Sequence, residues 1–90
     1  MQRTKILASE IALPTTTGTA TSFSSASVVR LVNTATANDY EVTVVETQNG
    51  VAIGTFTLMR ATTEFLEKQP SHCVFASNAS IRGAKVGFTN

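Results

Sequence analysis

Residues Tyr40–Leu58 read YEVTVVETQNGVAIGTFTL, two β-rich runs around Gln48-Asn49-Gly50. Asn and Gly both tolerate positive φ, the requirement of a type I′ turn, so the stretch predicts a β-hairpin. A small chain with one clear hairpin and no convincing helix is an all-β module. Such a module must deal with its strand edges, and it often does so by pairing with other copies or with a larger structure.

The remaining strands are read from two-residue alternation. In Val28–Asn33, Val29 and Leu31 share one face while Val28, Arg30 and Val32 share the other. Apolar residues on both faces suit a central strand, with Arg30 near a solvated or partner-facing patch. Tyr40–Thr47 and Val51–Met59 follow, and Phe56 and Leu58 face opposite to Ile53 and Met59. A turn at Arg60–Thr62 leads to Thr63–Lys68, then Cys73–Ala76, then Ile81–Phe88. Ile81 is out of phase with Val86 and Phe88, which predicts a bulge near Gly83. The expected core is Phe23, Val29, Leu31, Val42, Val44, Phe56, Leu58, Phe75, Val86 and Phe88.

Six to eight short antiparallel strands at this spacing predict a single small β-sandwich or jelly-roll-like barrel over residues 15–90. Residues 1–14 read as an extended N-terminal arm or first strand, closed by Pro14. Thr15–Ser27 is a Thr/Ser-rich linker or edge strand anchored by Phe23, with Thr21, Phe23 and Ser25 on one face if it is extended.

Composition narrows the chemistry. Only 14% of the 90 residues are charged, against roughly 25% in an ordinary soluble domain, and Ser and Thr fill the deficit. The seven Lys and Arg residues are scattered, Trp is absent and Tyr occurs once, so no basic stripe with aromatic platforms points to nucleic acid. No apolar run approaches a membrane span, and Met1–Pro14 lacks the apolar centre of a signal peptide. Cys73 is the single cysteine, which closes the disulfide route, favours cytoplasmic synthesis and suits a buried strand position.

The sequence predicts neither a catalytic centre nor a cofactor or metal. His72 is alone, and its neighbour Cys73 would point to the opposite strand face. Glu64, Glu67 and Lys68 read as a solvated strand end rather than a carboxylate pair in a cleft. Neither a Gly-x-Ser-x-Gly elbow nor a phosphate loop occurs. Asn78-Ala79-Ser80 fits the glycosylation pattern but reads as a polar turn. The candidate contact residues are Ile6, Leu7, Ile11 and Leu13 of the arm, with Arg30 and Arg60. Burying the four apolar ones is worth roughly 1.5–3 kcal/mol each, so the arm is expected to reach outside its own domain and add a strand to a neighbour's edge.

With strands and turns placed, several phrases carry a likeness: the valine-rich strand ending Val-Asn at Val28–Asn33, Ile-Gly-x-Phe-x-Leu at Ile53–Leu58, Glu-Lys-x-Pro-Ser at Glu67–Ser71, Phe-Ala-Ser at Phe75–Ser77 and Val-Gly-Phe at Val86–Phe88. Over roughly Ser22 to Phe88 the chain resembles small virion structural proteins of tailed phages, especially those of marine cyanobacteria. The resemblance implies a β-sandwich structural component without enzymatic activity, located in the virion after synthesis in the host cytoplasm. It further implies a capsid decoration or cement role, with the major capsid protein or another virion protein as partner and a homo-oligomer as the working form. The alternatives are a tail, neck or fibre component, or a small carbohydrate- or cell-surface-binding module.

Overall fold

The computed structural model describes residues 3–89, with side chains described from 4 to 87. It contains strands β1 (Arg3–Ile6), β2 (Ile11–Ala12), β3 (Val28–Asn33), β4 (Tyr40–Val45), β5 (Ala52–Leu58), β6 (Thr63–Glu67), β7 (Cys73–Ala76) and β8 (Ile81–Thr89). Among the described residues the helical content is one 3₁₀ turn at Thr17–Thr19. The chain is all-β, and its strands form two antiparallel sheets packed face to face.

One sheet has the order β1-β8-β3-β6, with β2 continuing along the same side of β8 as β1. The other has the order β5-β4-β7, and a bridge from Thr21 to Val74 extends it beyond β7. The pairings have a single logic. With β1 and β2 taken as one interrupted strand and the Thr21 segment as the next, first pairs last, second pairs β7, β3 pairs β6 and β4 pairs β5. That is a four-rung antiparallel ribbon. Rolling it brings β8 beside β3 and β7 beside β4, which is the jelly-roll arrangement of a two-sheet sandwich.

The facing sides supply the core. Val29, Leu31 and Ile81 from one sheet meet Val42, Leu58, Val74 and Ala76 from the other, with Leu13, Phe23 and Ala26 closing one end. A smaller cluster lies on the outer face of the second sheet, where Ala20 covers Val45 and Cys73 with Phe75 beside them. Of the expected core, Phe23, Val29, Leu31, Val42, Leu58 and Val86 are buried. Val44 and Phe56 are half-buried against the main core, and Phe75 belongs to the outer cluster. The Phe88 side chain lies outside the described residues.

Three local expectations need correction. The hairpin forms, but only Asn49 has positive φ, at 59°, so the turn is not type I′. A Cβ on Gly50 would lie 2.9 Å from the Thr47 carbonyl oxygen; crowding, not dihedral freedom, requires glycine there. Second, no bulge occurs at Gly83, where the β3–β8 register runs unbroken from Asn33↔Ile81 to Val29↔Lys85. The irregularity lies instead between Val44 and Val45, opposite Ile53. Gly83 admits the Phe23 ring, which would stand 2.8 Å from an added Cβ.

Third, Thr21, Phe23 and Ser25 do not share a strand face. Phe23, Ser24 and Ser25 have φ of 55°, 56° and 59°. Ala26 N–H donates back to Ser22 O at 3.1 Å, closing one left-handed turn. Phe23 is nevertheless the anchor of the segment, buried in the core.

Candidate functional site

The open side of the sandwich lies between β5 and β6, each the last strand of its sheet. No charged residue occurs from Val51 to Met59. Every β5 residue is exposed except half-buried Phe56 and buried Leu58. Val51, Ile53 and Met59 are 70%, 51% and 58% exposed. The bulge opposite Val44 and Val45 gives β5 one extra residue, Ile53. Behind it a cleft of about 300 Å³ runs between the sheets, lined by Val44, Ile53, Phe56, Leu66, Lys68 and His72. Its walls are mainly apolar, and neither strand is covered among the described residues. This is an apolar flank along the outer edge of β5, the kind of surface that a neighbouring protein completes.

A second concavity, of about 790 Å³, is polar. Thr21, Ser22, Ser25, Thr47, Gln48 and Ser71 contribute to its wall. No aromatic residue lines it, so it offers a sugar ring no stacking surface. The left-handed turn forms one side. Three consecutive non-glycine residues in that region cost roughly 1–2 kcal/mol each, so something must hold them. Lys68 does. Its Nζ donates to Ala26 O at 2.6 Å and to Ser22 O at 2.9 Å, with longer bonds to Gln69 O and Pro70 O at 3.4 Å. Lys85 Nζ donates to Ser24 O at 3.2 Å. Lys68 is only 8% exposed. Burial pulls its pKa below the usual lysine value; the Cys73 side chain opposes the shift and Lys85 adds to it.

The expected contact residues separate into three groups. Ile6, Leu7 and Ile11 are exposed on the arm, at 62%, 46% and 42%. Leu13 is 2% exposed inside the main core, so it is not available to a partner. Its N–H donates to Ile81 O at 2.9 Å, which sews that end of the arm to its own sheet. Arg30 and Arg60 are engaged within the chain. Arg60 pairs with Asp39 at 3.3 Å. Arg30 meets Glu10 at 3.5 Å, and the same carboxylate holds Arg82 at 3.0 Å. Arg30 lies opposite Ala84 in the ladder, so this trio closes over the outer side of β8.

Sequence reasoning missed Glu10 and Lys68. Lys68 is not the solvated strand end expected of it, although Glu64 and Glu67 are exposed as expected. No signal in TEFLEK distinguishes its lysine, because the carbonyls it binds lie more than 40 residues away at Ser22 and Ala26. The uncharged run Val51–Met59 was the legible signal for the open flank. His72 is half-buried and Asn78 accepts from Ser80 N–H at 2.8 Å, making the polar turn read from the sequence. Among the described residues no three His, Cys, Asp or Glu side chains gather to hold a metal ion, and no helix is long and apolar enough to cross a membrane. No protein-family model, characterised protein or solved structure matches the chain.

Proposed function

We propose that this chain is a virion structural protein, a decoration or cement component that binds an assembled capsid shell. The observation that carries the reading is the uncharged β5 flank, with Val51, Ile53 and Met59 in solvent beside an apolar cleft. An exposed apolar edge of this kind is a liability in a free monomer and an asset in a lattice. The jelly-roll order supports the reading by analogy of fold, since shells and lectins both use it. Binding to the assembled lattice but not to loose subunits would stabilise the lattice by mass action, and many weak copies would act together.

The partner is the major capsid protein or another virion protein, and the β5 flank is the face that meets it. The test is a cryo-electron reconstruction of particles from the host that carries this gene. Many copies on the shell, with Val51–Met59 turned inward, support the proposal. Copies confined to the tail or neck, or particles without the chain, overturn it.

A further inference from the structure

Asn49 and Gly50 lie in the turn between β4 and β5, and each is there for a structural reason. Asn49 has φ of 59°, a conformation that asparagine tolerates better than most side chains. A Cβ on Gly50 would stand 2.7 Å from Thr47 Oγ1 and 3.0 Å from Thr47 N. The turn thus selects a side-chain amide followed by the least hindered main-chain nitrogen a chain can offer. We propose that Asn49-Gly50 is a site of spontaneous covalent modification, and that the Thr17–Thr19 turn packed against it sets the rate.

The reaction needs only water. The Gly50 nitrogen gives its proton to solvent base and attacks the Asn49 side-chain carbonyl carbon. A C–N bond forms, and the bond from that carbon to the amide nitrogen breaks. The amide nitrogen takes up a proton from solvent and leaves as ammonia. Water then opens the five-membered imide at either carbonyl, giving aspartate or isoaspartate. Nothing is oxidised or reduced; one amide and one water become one carboxylate and one ammonium. Asn49 is exposed, so water reaches it. The isoaspartate product adds a carbon to the main chain of a turn that Glu46 N–H closes on Val51 O at 3.0 Å.

Three contacts oppose the first step. Gly50 N–H, whose proton must leave, donates to Thr47 O at 2.8 Å. Asn49 N–H donates to Thr17 O at 3.1 Å. The Asn49 side-chain amide lies over Gly18. A Cβ on Gly18 would stand 3.2 Å from Asn49 Oδ1 and 3.7 Å from Cγ, the atom to be attacked. The amide is therefore held against a neighbouring segment and is not free to fold back on the Gly50 nitrogen. Imide formation proceeds through local opening of the hairpin tip, and the folded state slows it. The site makes no use of the outer edge of β5, so the reading of that flank stands or falls separately.

The experiment incubates the full chain at mildly alkaline pH, once folded and once in concentrated urea. Intact-mass spectrometry follows the gain from amide to acid, and electron-transfer fragmentation assigns it to residue 49 and separates aspartate from isoaspartate. Asn49 converts in urea, and at least roughly tenfold more slowly in the folded chain. Gly18 does not have positive φ, so a side chain there brings no backbone strain. Gly18→Val displaces the Asn49 amide and speeds conversion in the folded chain several-fold; Gly18→Ala does so to a smaller degree. Circular dichroism checks that both variants are folded. Asn49→Gly, which suits the same φ, abolishes the mass gain at this site. Equal rates folded and in urea, no conversion in urea, or folded Gly18 variants that react no faster than the parent each overturn the proposal. The comparison of folded and unfolded parent needs no variant, so it decides even where Gly18→Val does not fold.

Discussion

At the scale of single residues, Lys68 and the turn it holds are the least expected feature of the molecule. The ammonium satisfies carbonyls that a left-handed turn leaves pointing inward, and the turn in turn delivers Phe23 into the core. Replacing Lys68 with Met keeps the stem but takes the ammonium donor from Ala26 O and leaves Ser22 O with the Ala26 N–H alone. The expected loss is about 1–3 kcal/mol of unfolding free energy in urea titration. Its pH dependence has a definite sign. The folded state holds the Lys68 proton less tightly than the unfolded chain does. Stability from this group is therefore flat at neutral pH and rises as pH climbs through the window between the lowered pKa and the ordinary value of 10.5. The deficit of Lys68→Met relative to the parent should widen across that alkaline window; a deficit that narrows there would contradict the assignment.

Ser24 gives the complementary test. Its side chain is exposed and its φ is 56°. Glycine adopts that conformation without steric cost, so Ser24→Gly should raise stability by about 0.5–1 kcal/mol, read as a higher melting temperature. A lower melting temperature would show that the turn is not left-handed in solution. None of this was legible locally. The run Ser22–Ser27 contains no glycine to announce positive φ, and its clamp comes from a distant strand.

At the scale of elements, the strands were the legible part because alternation and turn chemistry are local. Val28–Asn33 and Cys73–Ala76 have the bounds that the alternation predicts. Gly83 was misread because a phase change in burial looks the same in sequence whether it comes from a bulge or from a change in what covers the strand. Here Ile81 and Gly83 face the core, while Ala84 and Val86 are buried on the outer side near the Glu10 trio. Gly83→Ala should cost about 1–3 kcal/mol, since the new methyl group meets the Phe23 ring and Leu31. The arm was misread in part for a related reason: its apolar residues look equivalent in sequence, yet only Leu13 reaches the core. Deleting residues 1–9 should leave a folded domain by circular dichroism, whereas deleting 1–13 removes Leu13 and its bond to Ile81 and should unfold much of the population. Equal stability of the two truncations would place Leu13 outside the core.

At the scale of the whole molecule, the sandwich puts its well-packed strands in the middle and its exposed apolar and charged strands at the edges. β3 has a buried residue at every second position, while β5 and β6 are mostly exposed. The fold class was readable from the hairpin and the strand spacing, but the sheet order was not, because pairings such as β1 with β8 join residues at opposite ends of the chain. Which strands form the exposed edges could be read only once that order was known.

The central claim is that β5 is completed by a protein neighbour in the assembled particle. Amide hydrogen exchange on free and particle-bound protein tests it most directly. The account predicts that Val51–Leu58 amides exchange markedly more slowly in the particle, while those of β3, already paired on both sides, barely change. Equal exchange of β5 in the two states would contradict it.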